Sequence, residues 1–168
     1  MLRSLVGSEM CIRDRVQSLE KNYPEVNVSY EFVDAVAMRL IHSPSYYDVL
    51  ITSNLFGDIL TDEASVISGS MGLMPSASVG VETSIYEPIH GSFPQAKGKN
   101  IANPLATILS ASMMFERSFH LNEESKLIRD LVNESISNNI VTKDLSGDGK
   151  PFTTKEVGDW IVDRIRKG

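Results

Sequence analysis

The chain has 168 residues, a formal net charge of -6, 42% hydrophobic and 23% charged residues, a balance typical of a folded globular protein and one that excludes a broad nucleic-acid footprint. Its single cysteine, Cys11, cannot form an internal disulfide, which fits a reducing, cytoplasmic setting. No apolar run reaches the length of a membrane span, and the length suits one domain or a large part of a two-domain protein.

Residues 1–15 show no helical or strand period and lack the continuous apolar core of a signal peptide. The run Ser-Leu-Val-Gly-Ser-Glu-Met-Cys-Ile-Arg-Asp at Ser4–Asp14 is similar to translated sequencing-adapter text. These residues are therefore read as a non-native segment, with a native terminus as the alternative, and are set aside from the fold argument.

Val16 to Tyr23 suits the end of a helix closed by Pro24. Val26, Val28, Tyr30 and Phe32 then alternate with polar residues, which predicts a half-buried strand. Asp34 falls in phase with its apolar side, where a carboxylate needs hydrogen bonds or a metal. Val36, Ala37, Leu40 and Ile41 repeat at helical spacing until Pro44. Asp48–Thr52 reads as a short buried strand running into a helix near Asn54, capped by Ser53 or Asn54. Gly69, Gly72, Pro75 and Gly80 mark a turn-rich crossing and the predicted boundary, with one region at 16–72 and another at 73–168.

Beyond that boundary, Ser84–Pro88 reads as a strand and Ile89 to Asn103 as a loop. Asn103-Pro104 opens a helix through Leu105, Ile108, Leu109 and Met113 towards Phe119, apolar nearly all round and so expected to be buried. An amphipathic helix follows over about Glu123 to Ser137. The last helix opens with Thr153-Thr-Lys-Glu156, a capping box. Strands alternating with helices predict an α/β fold.

Three constellations could carry chemistry. Asp58 and Asp62 stand four residues apart on one helix face. Their mutual repulsion is relieved by a divalent cation, and hard oxygen ligands suit magnesium or manganese; Asp34 could add a third oxygen. Spacing alone favours a plainer reading, with Asp58 in the first turn complementing the helix dipole and Asp62-Glu63 on a solvated face. The loop from His90 to Pro104 carries Gly91, Gly98, Lys97 and Lys99 ahead of a helix start, which could meet phosphate. It lacks both standard nucleotide fingerprints, so the residues alone favour an ordinary surface loop. Asp144-Leu-Ser-Gly-Asp-Gly149 mimics the start of a calcium loop, but its twelfth position is Lys155 where a bidentate glutamate is required. It is read as a turn.

Asn54-Leu-Phe-Gly-Asp-Ile-Leu-Thr-Asp62, followed by Gly69-Ser-Met-Gly-Leu73, resembles the signature segment of the isocitrate and 3-isopropylmalate dehydrogenase family. Val33-Asp-Ala-Val-Ala-Met38 resembles that family's metal-aspartate helix. Glu87-Pro-Ile-His-Gly-Ser92 and Gly98-Lys-Asn-Ile-Ala-Asn-Pro104 resemble its adenine-side cofactor loop. The likeness runs from about Val16 to the end.

The resemblance implies the C-terminal half of that α/β fold, with incomplete sheets flanked by helices. Residues 16–72 would belong to the central, dimer-forming metal and substrate domain, and 73–168 to the cofactor domain. It implies that Asp34, Asp58 and Asp62 bind Mg2+ or Mn2+, with Asp34 reaching the site of the partner subunit of a homodimer. It implies that Glu87, His90, Gly91, Ser92, Phe93, Gln95, Ala96, Asn103 and Asp144 contact NAD. Gln95 stands where many NAD-linked members carry an aspartate. It can still bond a ribose hydroxyl, but it rejects a ribose phosphate less firmly.

The implied reaction is NAD-linked oxidative decarboxylation of a small 2-hydroxy diacid, with no nucleic-acid or membrane partner. The cofactor loop and Leu109-Ser-Ala-Ser-Met-Met114 look like the leucine-biosynthesis branch, which converts 3-isopropylmalate to 4-methyl-2-oxopentanoate. The alternatives are a member acting on isocitrate, homoisocitrate or tartrate and malate, or a non-catalytic nucleotide- or metal-binding fragment. The family's lysine base, tyrosine acid and arginine cluster have no matching positions here, so no acid–base residue is assigned.

Overall fold

The computed structural model describes residues 2–167, with side chains from Met10 onward. The chain forms two compact units, Met1–Ala64 and Ser65–Gly168. The architecture is a partial α/β fold, rich in helices and with one small sheet among the described residues.

In the first unit, helix α1 spans Leu2–Glu20 and so runs through the stretch that shows no period in sequence. Helix α2 spans Val33–His42 and ends at Ser43, whose N–H donates to Arg39 O just ahead of Pro44. Helix α3 spans Asn54–Ser68, and the division between the units falls within it. Val36, Leu40 and Leu60 form a small core, flanked by Val33, Ala37 and Tyr47. Glu31 ties the loop ahead of α2 to that core. Its two oxygens accept from Arg39 at 2.6 Å and from the Tyr47 hydroxyl at 2.7 Å.

Neither strand predicted in this unit forms. Residues 26–32 and 48–52 are irregular, with Phe32 at 84% and Val49 at 79% exposure. The period-two alternation is present at 26–32, and 48–52 carries the short apolar run Val49-Leu50-Ile51. A strand also requires a neighbour to take up its N–H and C=O groups, and neither segment has a ladder partner among the described residues. Asp34 accordingly lies not on a strand but in the first turn of α2, where it is exposed.

The second unit holds the main core. Strands β1 (Pro75–Val79) and β2 (Ser84–Pro88) form an antiparallel hairpin, with Pro75 opposite Pro88 and Val79 opposite Ser84. Helix α4 (Leu105–Arg117) packs on both strands and on α5 (Asn122–Ser137), which in turn meets α6 (Thr154–Lys167). Leu105, Leu131, Val132, Val157 and Ile161 are buried together, with Leu73, Leu109 and Trp160 packed against them. Ser112 and Ser125 are fully buried where α4 crosses α5, and the Ser112 hydroxyl lies 2.9 Å from both the carbonyl and the hydroxyl of Ser125. Small side chains allow that approach, and the bonds satisfy the buried hydroxyls.

The predicted capping box is formed. Glu156 accepts from Thr153 N at 2.7 Å, and the Thr153 hydroxyl accepts from Glu156 N at 3.3 Å. Asn103 serves α4 as predicted, its Oδ1 accepting from Leu105 N at 3.0 Å. The segment after Thr142 is a turn, with Leu145 N and Ser146 N donating to Thr142 O and Gly147 at a φ of 52°.

Candidate metal and nucleotide sites

The carboxylate pair lies in the first unit. Asp58 and Asp62 are both exposed on α3, and Asp58 Oδ2 accepts from Asn54 Nδ2 at 2.9 Å. The helix begins at Asn54 and has no acidic residue in its first turn. Asp58 therefore stands beyond the reach of the helix-dipole explanation, which is confined to the terminal turn. Two exposed carboxylates at this spacing provide hard oxygens suited to magnesium or manganese. Asp34 engages its own backbone neighbour, accepting from Ala35 N at 2.9 Å. Among the described residues no group of three or more His, Cys, Asp or Glu side chains is placed to hold a metal ion, so one chain does not bring Asp34 to Asp58 and Asp62.

The nucleotide-side residues lie in the second unit. Glu87 sits on β2, exposed and opposite Ser76. His90 is half-buried, with Nδ1 3.0 Å from Gly91 O. Gly91, Ser92 and Phe93 are exposed, and a short 3-10 turn at Pro94–Ala96 carries exposed Gln95 and buried Ala96. Lys97 and Lys99 are exposed beside them.

Asn103 and Asp144 meet at the start of α4. Asn103 Nδ2 donates to Asp144 Oδ2 at 2.9 Å, while its Oδ1 caps the helix. Two further donors converge on the same carboxylate: the Ser70 hydroxyl on Oδ2 and the Thr142 hydroxyl on Oδ1. Partial burial alone would raise the Asp144 pKa, but the hydrogen bonds from Ser70, Thr142 and Asn103 outweigh it and hold the carboxyl below its ordinary value. A carboxylate occupied in this way fits the turn reading of 144–149 rather than a calcium loop.

Gly72 completes the cradle. A Cβ there would stand 2.6 Å from Asn103 Cβ and 2.9 Å from Asn103 Nδ2. Gly72→Ala is expected to displace Asn103 and destabilise the second unit by about 1–3 kcal/mol, measured by urea unfolding. Gly158→Ala in α6, where an added Cβ meets nothing within 4 Å, should instead stabilise by about 0.5–1 kcal/mol. Equal effects at the two sites would contradict this account.

Ser70 and Thr142 are neighbours of Asp144 that sequence reasoning did not single out as site residues. Ser70 and Asp144 stand 74 residues apart, and no local pattern links them.

A model of the family described as isocitrate/isopropylmalate dehydrogenase matches residues 5–161. The chain belongs to the isocitrate/isopropylmalate dehydrogenase family. The match begins inside the segment 1–15 that was set aside on its sequence. A 3-isopropylmalate dehydrogenase of Bacteroides fragilis is 54% identical over 165 residues, covering 98% of this chain and 46% of the relative. One of Clostridium acetobutylicum is 45% identical, covering 95% of this chain and 45% of the relative.

The chain thus spans about half the length of the curated relatives it matches. Among solved structures, the isocitrate dehydrogenase of Methylococcus capsulatus superimposes with a TM-score of 0.84 at 36% identity, covering 89% of this chain and 44% of that one. A beta-decarboxylating dehydrogenase of Thermococcus kodakarensis gives 0.81 at 33% identity, covering 99% of this chain and 48% of that one. No helix among the described residues is long and apolar enough to cross a membrane.

Proposed function

We propose that this chain forms the metal- and nucleotide-binding half of a cytoplasmic, NAD-linked dehydrogenase of leucine biosynthesis. It would act on the 2-hydroxy diacid 3-isopropylmalate, yielding 4-methyl-2-oxopentanoate and carbon dioxide. The observation that carries the substrate is the 54% identity, across 98% of the chain, to a relative named 3-isopropylmalate dehydrogenase. The isocitrate dehydrogenase among the solved structures is 36% identical, which favours the isopropylmalate branch.

Asp58 and Asp62 would hold Mg2+ or Mn2+ through hard oxygens on one face of α3, with Asp34 contributing from the partner subunit of a homodimer. Such an ion supplies Lewis acidity at the keto oxygen during loss of carbon dioxide. Residues 16–72 then belong to the dimer-forming metal and substrate domain, and 73–168 to the cofactor domain. Glu87, His90, Gly91, Ser92, Phe93, Gln95, Ala96, Asn103 and Asp144 would line the nucleotide side.

Asn103, its carbonyl oxygen committed to Leu105 N, presents its amide group in one fixed orientation. Asp144, itself held by Ser70 and Thr142, accepts from Asn103 Nδ2 and keeps that orientation. Gln95 is uncharged and accepts or donates to a ribose hydroxyl without repelling a phosphate, so discrimination against NADP is expected to be modest.

A chimera tests this reading: the N-terminal half of the Bacteroides fragilis relative joined to this chain. It should reduce NAD with 3-isopropylmalate in preference to isocitrate, and only with Mg2+ or Mn2+. Asp58→Ala or Asp62→Ala should lower turnover at least about a hundredfold, as for loss of a charge-stabilising group at a reacting centre. A folded chimera that is inactive, or whose activity survives both substitutions, would count against the proposal. The 168-residue chain alone, in which no acid–base residue is assigned, should produce no NADH.

A further inference from the structure

The convergence of donors on Asp144 goes beyond what nucleotide contact requires. We propose that Ser70 and Thr142 are positioning residues for nucleotide binding, acting through Asp144 on Asn103. This rests on the reading that Asn103 and Asp144 meet the nucleotide.

Both carboxylate oxygens are committed. Oδ2 accepts from Ser70 and from Asn103 Nδ2 at 2.9 Å, and Oδ1 accepts from Thr142. A carboxylate gripped at one oxygen can still swing; gripped at both, it is fixed in direction. The holders are themselves anchored. Thr142 is fully buried. Ser70 Oγ also accepts from Gly72 N at 3.0 Å, so one hydroxyl joins the turn after α3 to the carboxylate.

Asn103 is the element being aimed. A free asparagine amide can flip between two orientations of nearly equal shape. Here Oδ1 takes Leu105 N and Nδ2 takes Asp144, so only one orientation satisfies both. That leaves the second N–H of Nδ2 pointing in a defined direction for a ligand acceptor. Removing a hydroxyl from Ser70 or Thr142 frees the carboxylate and, with it, the amide. Neither residue needs to touch the nucleotide.

The test is a titration of NAD+ into the 168-residue chain, followed by ligand-observed NMR, with circular dichroism as the check on folding. Ser70→Ala should weaken NAD+ about tenfold, the loss expected from one hydrogen bond to a charged group. Ser70→Thr, which keeps the hydroxyl, should stay within about twofold of the parent. In an Asp144→Asn background Ser70→Ala should change affinity by less than about twofold, because the route through the carboxylate is already broken. Thr142→Val removes the hydroxyl on the other oxygen and gives the same reading where Ser70→Ala does not fold.

Parent-like affinity in both hydroxyl-deleted variants overturns the positioning role while leaving the nucleotide reading intact. So does an undiminished tenfold loss in the Asp144→Asn background. A parent chain that does not bind NAD+ overturns the nucleotide reading itself and this inference with it.

Discussion

Leu105→Ala lowers the unfolding free energy of the second unit by about 3 kcal/mol, within the range for emptying an enclosed leucine site. Leu105 has 0% exposure and packs among Leu131, Val132, Val157 and Ile161. It is also the first residue of α4, two positions beyond Asn103. The cavity therefore opens beneath the residue that caps the helix and bonds Asp144. Relaxation into it would draw the helix start inward, so part of the cost would appear as a disordered Asn103. Urea unfolding measures the free energy, and Leu121→Ala, at 38% exposure, is the control, expected within about 1 kcal/mol of the parent. A loss below about 1 kcal/mol at Leu105 would mean that the core is not closed there.

Asp144→Ala has the next largest expected effect, about 2 kcal/mol. The argument is one of orphaned donors. Three side chains direct hydrogen bonds to this carboxylate, and Thr142 is fully buried, so its hydroxyl cannot turn to water. An unsatisfied buried donor costs about 1–3 kcal/mol. Asp144 is itself at the surface, so the ionic part is discounted.

The effect should depend on pH with a definite sign. Hydrogen bonding holds the folded Asp144 carboxyl below its ordinary value, against the opposing influence of burial. A carboxyl with a depressed folded pKa stabilises the fold while ionised. Its contribution is complete above the ordinary carboxylate range and is lost as pH falls through that range towards the lowered folded value. The difference between parent and Asp144→Ala should therefore be full at about pH 7 and shrink towards about pH 3. A difference independent of pH would show that the bonds do not depend on the charge.

Much of the second unit was legible in the residues themselves. Asn103-Pro104, the Thr153–Glu156 box and the turn near Gly147 are local signals, and each is satisfied within a few residues of chain. In the first unit 26–32 carries an alternation that describes which face is apolar and 48–52 a short apolar run, but a strand is made by its neighbour, and a pattern cannot supply one. Residues 2–15 lie on α1, although they are set aside from the fold argument because their sequence shows no clear period and is similar to adapter text.

The carboxylate pair was visible as spacing. The resemblance of Asn54–Asp62 to a family signature gave that spacing a meaning, and the family match over residues 5–161 bears out the resemblance. The Asp144 cluster was invisible because it joins residues 41 and 74 positions apart.

That separation also bears on the order in which the second unit assembles. The hairpin β1–β2 and the successive pairs α4–α5 and α5–α6 join neighbours in the chain. Closing those short loops costs little, and they can form early. The three-donor grip on Asp144 can close only after residue 70 and residue 144 have both arrived. It should be absent from the folding transition state. Asp144→Ala would then leave the folding rate nearly unchanged and accelerate unfolding by almost its whole energetic cost, a φ value near zero in stopped-flow urea jumps. The grip would serve as a latch, slow to release once set.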